Sequence, residues 1–134
     1  MALSADEVVK RYTYEIWNEG KFELIRDLTS NPLTRHDANK TSQLTHDEQI
    51  ERIRSVVVAM SPVFENIIQS SDGTYVTAVF QCKTKPKAGA AENNAWIPEE
   101  AKAAQAGCGI EVFKVVDGRI TDVWNCKTMQ GLWG

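Results

Sequence analysis

Two carboxylates in unlike settings are the groups best suited to moving protons. Glu111 lies inside Gly109-Ile110-Glu111-Val112-Phe113-Lys114-Val115-Val116, an apolar run that reads as a strand ending at an Asp117-Gly118 turn. Alternation puts Glu111 on one face with Phe113 and Val115, and Lys114 on the other with Ile110 and Val112. An ionised carboxylate on an apolar face is costly to bury, so Glu111 is paired, protonated or facing a cavity. Its own face offers no cation, so desolvation is expected to raise its pKa and make it an acid or hydrogen-bond donor. The plainer alternative is a rim carboxylate paired to a neighbouring Lys or Arg. Asp37 ends the short segment 33–37. If that segment is extended, Arg35 shares its face and holds Asp37 ionised, which suits a base or equally a salt bridge. Because Ala38-Asn39 follows, an Asx-type turn is the other reading. His36 points the opposite way and reads as structural.

The elements that must position these groups are legible from caps and periods. Ser4-Ala5-Asp6-Glu7 is a capping box opening a helix with Val8, Val9, Tyr12, Ile16 and Trp17 at helical spacing, which stops at Gly20. Tyr14 and Trp17 belong to its core, where either can wall a pocket. Phe22, Ile25 and Leu28 mark a second, shorter helix before Asn31-Pro32. Thr45-His46-Asp47-Glu48 opens a third, with Ile50, Ile53, Val57 and Met60 inward and Ser61-Pro62 closing it. From Val63 the period becomes that of strands: 63–69 and 74–84 flank Ser71-Asp72-Gly73, and the strands of Glu111 and Trp124 flank Asp117-Gly118. Helices first and hairpins afterwards predict an α+β fold, a sheet curled over the helices. Between the hairpins, 85–106 is too long for a tight connection. Its second half, 98–106, has helical character, and the whole is either a surface excursion or a lid with Trp96 as its plug.

At 134 residues the chain is expected to be one domain, 1–134. A formal net charge of −3 with no basic stripe argues against nucleic acid, and no apolar run suits a membrane span. Cys82, Cys108 and Cys126, an odd number without CxxC spacing, read as reduced thiols of a cytoplasmic protein. His36 and His46 recur at no ligand spacing, so no metal is expected.

Taken together, Tyr14-Glu15-Ile16-Trp17-Asn18-Glu19-Gly20-Lys21, Arg35-His36-Asp37 and Phe113-Lys114-Val115-Val116-Asp117-Gly118-Arg119-Ile120, followed by Val123-Trp124-Asn125, resemble the NTF2-like superfamily. The nearest branch is that of the SnoaL-like polyketide cyclases, with ketosteroid isomerase as a cousin. The resemblance covers nearly the whole chain except 85–106. It implies a cone-shaped, curved antiparallel sheet wrapped around three N-terminal helices, a pocket between them, no cofactor, and a homodimer. It also places Asp37 where ketosteroid isomerase has its general base, and Glu111 where that enzyme keeps a protonated acid for the developing oxyanion. The isomerase's oxyanion tyrosine falls at Thr13, between Tyr12 and Tyr14. The cyclases' catalytic aspartate falls at Asn125, and an amide takes no proton.

The register of the last hairpin decides which of Trp124 and Asn125 enters the pocket. A two-residue turn pairs Glu111 with Trp124; a bulge at Gly118 pairs it with Val123 and turns Asn125 inward. The family pattern favours the bulge, with Trp124 on the outer face beside Ile110 and Val112, where a second copy would cover it. The expected function is cofactor-free acid–base chemistry on a small, largely apolar metabolite: isomerisation or cyclisation of a polyketide- or terpenoid-type intermediate. Asp37 and Glu111 would be catalytic, with Arg35, Asn125, Tyr14, Trp17, Phe113 and Trp96 binding substrate. The alternatives are a non-catalytic ligand-binding or dimerisation module, and an epoxide-opening hydrolase or dehydratase.

Overall fold

Each start and stop signal is met by a hydrogen bond. The computed structural model describes residues 3–126 and 128–134. Ser4 caps α1 (Ala5–Arg11): its hydroxyl accepts from the Glu7 amide, and the Glu7 carboxylate accepts from the Ser4 amide, both at 3.2 Å. The helix continues past Arg11 as a π-helical segment, Tyr12–Asn18. It ends where Gly20, at φ +74°, lets the Gly20 and Lys21 amides close onto the Ile16 and Glu15 carbonyls. Asn18 then clamps this end to the sheet, donating to Phe64 O and accepting from Phe64 N, each at 2.8 Å. A 3₁₀ turn at Phe22–Leu24 runs into the short α2 (Ile25–Leu28). Thr45 and Glu48 form the second capping box, opening α3 (His46–Met60), which buries Ile50, Ile53 and Met60.

The strands are β1 (Thr29–Asp37), β2 (Lys40–Leu44), β3 (Val63–Ser71), β4 (Tyr75–Lys83), β5 (Ala106–Val116), β6 (Arg119–Asn125) and β7 (Met129–Gln130). They form one curved sheet in the order β2-β1-β6-β5-β4-β3, with β7 paired to the start of β5. The expected sheet was antiparallel throughout, but β1 and β6 run parallel. Chain direction accounts for this. A helix crossover such as α3 carries β2 into a strand of the same sense. Three antiparallel turns, from β3 through β4 and β5 to β6, then leave β6 running against β2 and therefore along β1. Register shifts in β1, in β3 between Asn66 and Ile68, and in the β5–β6 pair bend the ladder around the helices. Val8, Val9, Ile16, Ile53, Val76 and Val123 fill the space between the two layers.

The segment 85–106 packs on the C-terminal end of α3. Lys85 N and Lys87 N donate to Met60 O and Ala59 O at 2.7 Å, and Ala91 and Ile97 are buried against the same turn. Its expected helix shrinks to one 3₁₀ turn, Glu99–Ala101. The sheet takes the residues a helix would need: Thr84 N donates to Gln105 O, and Ala106 already pairs with Lys83 in β5.

Candidate active site

Strand alternation assembles one inward row across the sheet. Arg35 on β1 lies beside Val123 on β6, which faces Phe113 on β5. One pair further along, Asn125 faces Glu111, and Glu111 faces Ala78 on β4. Neither expected register holds. The two-residue turn forms, with Val116 opposite Arg119 and both Asp117 and Gly118 at positive φ, but an extra residue enters β6 near Thr121. Glu111 therefore meets Asn125 rather than Trp124 or Val123. Asn125 is turned inward, and Trp124 lies on the outer face, stacked on His36 with centroids 4.7 Å apart. His36 is tied there to Asp122 at 2.9 Å.

The row closes against the first helix around a chamber of about 150 Å³. The π-helical segment contributes Tyr12, Thr13 and Trp17, the sheet contributes Phe64, Asn66, Phe80 and Phe113, and Glu111 and Asn125 supply polar groups. A second, outer chamber of about 360 Å³ is lined by Asp37, Lys40, Ser42, Trp96 and Pro98. Four residues line both chambers: Arg35, Arg52, Asn125 and Thr128. They form a polar waist, with Glu111 on its inner side and Asp37 on its outer side. Arg35 is nearly buried and reaches Asp37 at 3.3 Å, while Asp37 is 40% exposed.

Burial pushes the Glu111 carboxyl above its ordinary value. Arg35 and Arg52 work in the other direction, and the charge of Asp37 adds to the rise, so the two carboxylates sense each other across the waist. The expectation that no cation would face Glu111 came from its own strand; the two guanidinium groups arrive from β1 and α3. Burial, reinforced by nearby Arg35, brings Arg52 down to about 10. The Cys82 thiol also lines the inner chamber, but burial pushes it up to about 11, which disfavours the thiolate. All three cysteines are unpaired.

Of the residues singled out in the sequence, Glu111, Asn125, Arg35, Trp17 and Phe113 meet at the inner chamber, and Asp37 and Trp96 at the outer one. Tyr14 lies elsewhere: its hydroxyl accepts from the Asn66 amide, and its ring lines a separate groove with Val63 and Glu65. The π turn rotates Thr13 and Trp17 toward the chamber and Tyr14 toward β3. Arg52 was missed. Its signal is a second stripe of α3, Gln49-Arg52-Val56-Ala59, which flanks the inward Ile50-Ile53 stripe and is partly or wholly buried. Tyr12, expected on the apolar stripe of the first helix and next to the position of the isomerase's tyrosine, lines the chamber edge-on to Phe113, and its hydroxyl has no hydrogen-bond partner among the described residues.

No protein-family profile and no curated protein matches this sequence. Solved structures do match. A SnoaL-like polyketide cyclase from Agrobacterium tumefaciens superposes with a TM-score of 0.72 at 13% identity, over 95% of this chain and 92% of that one. An LEH-like epoxide hydrolase from M. tuberculosis gives 0.66 at 13%, over 91% and 80%. A Catenulispora acidiphila protein with a ketosteroid isomerase-like fold, in complex with trimethylamine, gives 0.64 at 12%, over 89% and 83%. These structures share the NTF2-like fold, and the chain described here has that fold.

Proposed function

We propose that this NTF2-fold chain is a cofactor-independent acid–base enzyme acting on a small metabolite, an isomerase or cyclase of a polyketide- or terpenoid-type intermediate. The observation that carries the reading is a carboxyl whose pKa burial raises, Glu111, lining the inner chamber, with an ion-paired carboxylate, Asp37, on the far side of a polar waist. A carbonyl compound spanning the waist places its oxygen toward Glu111 and its acidic C–H toward Asp37. Asp37 takes the proton, the C–H electron pair moves onto the carbonyl oxygen, and Glu111 hydrogen-bonds the enolate that forms. Tyr12 supplies a second donor from the helix side. Delivering the proton to a different carbon completes an isomerisation; attack of the enolate carbon on a second carbonyl completes a cyclisation.

The exposure of Asp37 favours a second reading, a ligand-binding module without turnover. Deuterium exchange into cyclohexanone in D₂O, followed by NMR, separates the two. The enzyme reading expects accelerated exchange, near-complete loss in Asp37→Asn, and a loss of about 10²-fold in Glu111→Gln, as for removal of part of an oxyanion site. Exchange at the uncatalysed rate, or undiminished exchange in both variants, leaves the binding module. The outer face of the sheet, where Tyr75, Ile110 and Trp124 are exposed together, is where a second copy of the chain docks in this reading.

A further inference from the structure

The two guanidinium groups at the waist differ in one respect. Arg35 has a carboxylate partner in Asp37. Arg52 makes no hydrogen bond through its guanidinium and no ion pair with any described residue; its neighbours are the rings of Trp17 and Trp96, at 5.8 and 5.9 Å from their centroids. Ring contacts steady a guanidinium but use none of its five N–H donors. A partly buried cation with idle donors at the junction of two chambers is complementary to an oxyanion.

Charge around the opening points the same way. Lys40, Arg35 and Arg52 line the outer chamber against the single carboxylate of Asp37, in a chain whose formal net charge is −3. The site is therefore locally positive on a negative protein, an arrangement that draws in anions. Inside the waist Phe64, Phe80 and Phe113 supply rings to a wall that also carries Thr13 and Asn66, and the volume is that of a cavity able to hold a benzene-sized body, ~150 Å³.

From this geometry we infer that the natural ligand is a small carboxylic acid, its ring-sized body in the inner chamber and its carboxylate on Arg52 at the waist. This deepens the acid–base reading and uses the same site. It narrows the substrate from a neutral apolar compound to an acid whose charge is matched by Arg52, leaving Arg35 to Asp37. Asn125 Oδ1, buried without a donor among the described residues beside the waist, gives such a ligand an acceptor for a hydroxyl or enol proton.

Titration calorimetry with benzoate, and with benzamide as its uncharged counterpart of the same shape, tests the inference without any need for turnover. Benzoate is expected to bind saturably and at least about 10-fold more tightly than benzamide, in line with a charge-assisted contact. Arg52→Gln should remove that preference while changing benzamide affinity by less than about 3-fold, and Arg52→Lys should keep part of it. Thermal melts verify that each variant is folded, and Arg52→Lys carries the test alone if Arg52→Gln is not. Equal affinity for the two ligands, an unchanged preference in the folded variants, or no saturable benzoate binding in the millimolar range would overturn the anion seat. A carboxylate preference without deuterium exchange would remove the enzyme reading and leave the seat; exchange without a carboxylate preference would do the reverse.

Discussion

Replacing Glu111 by Gln should change the pH dependence of stability more than stability itself. Glu111 has a folded-state pKa above its ordinary value of 4.5, with burial as the main cause. Between 4.5 and the folded pKa, the native state holds a proton that the unfolded chain has released. Stability from this group is therefore fully present below 4.5 and is lost as pH rises through the folded pKa. Over that window the native state loses about 1.4 kcal/mol per pH unit relative to a variant with nothing to titrate there. For a domain of this size, that is roughly 3–6 °C in Tm per pH unit. An amide keeps the shape and a donor but never ionises, so the melting curves of parent and Glu111→Gln should diverge in one direction. The variant should gain on the parent from pH 4.5 upward, and the gap should level off once the parent carboxyl is ionised. Melts every half unit from pH 4 to 8 measure this difference, and titrating groups that do not sense Glu111 cancel from it. Arg35 and Arg52 favour the charged form, so the test is demanding. A gap that stays constant with pH would mean that the guanidinium groups offset burial, and a protonated Glu111 would no longer be available to the mechanism.

Other perturbations read other parts of the structure. Gly109→Ala would put a methyl 2.8 Å from Phe80 Cζ, in the wall of the inner chamber, and should cost about 1–3 kcal/mol in a denaturant melt. Phe80 lines that chamber, so benzoate binding should weaken as its ring is displaced. Ser61 ends α3 at φ +45°, and Ser61→Gly should stabilise by about 0.5–1 kcal/mol in the same assay. Sedimentation at tens of micromolar should show a dimer that Trp124→Glu converts to a monomer that still melts cooperatively; a monomeric parent would refute docking through the outer face.

What the sequence revealed was mostly local. Ser4 with Glu7 and Thr45 with Glu48 cap their helices because both partners sit within three residues of each other. Glu111 and Phe113 share an inward face because a strand repeats every two residues. What it hid depends on distant parts of the chain. The parallel β1–β6 pair follows from counting reversals across the whole fold, and Arg52 enters the site from a helix stripe that looks solvent-facing until 85–106 packs beside it. The π turn that separates Tyr14 from Trp17 carries no Gly or Pro to announce it. Asn125 was placed inward for the wrong local reason: the extra residue sits in β6, not at Gly118.

That extra residue makes the polarity of the site depend on a count of residues rather than on their chemistry. Inserting one codon between Thr121 and Trp124, with the two-residue turn and the extra residue both kept, would bring Trp124 opposite Glu111 and send Asn125 outward. An indole would then occupy the chamber where an amide stood, while the outer face would lose its stacked aromatic. No single substitution can produce that exchange, so scanning mutagenesis would leave it unseen. A lineage or a laboratory library that admits insertions and deletions in this hairpin could convert a pocket with a polar floor into a greasy one in a single step, with the pocket-lining residues of every other strand untouched.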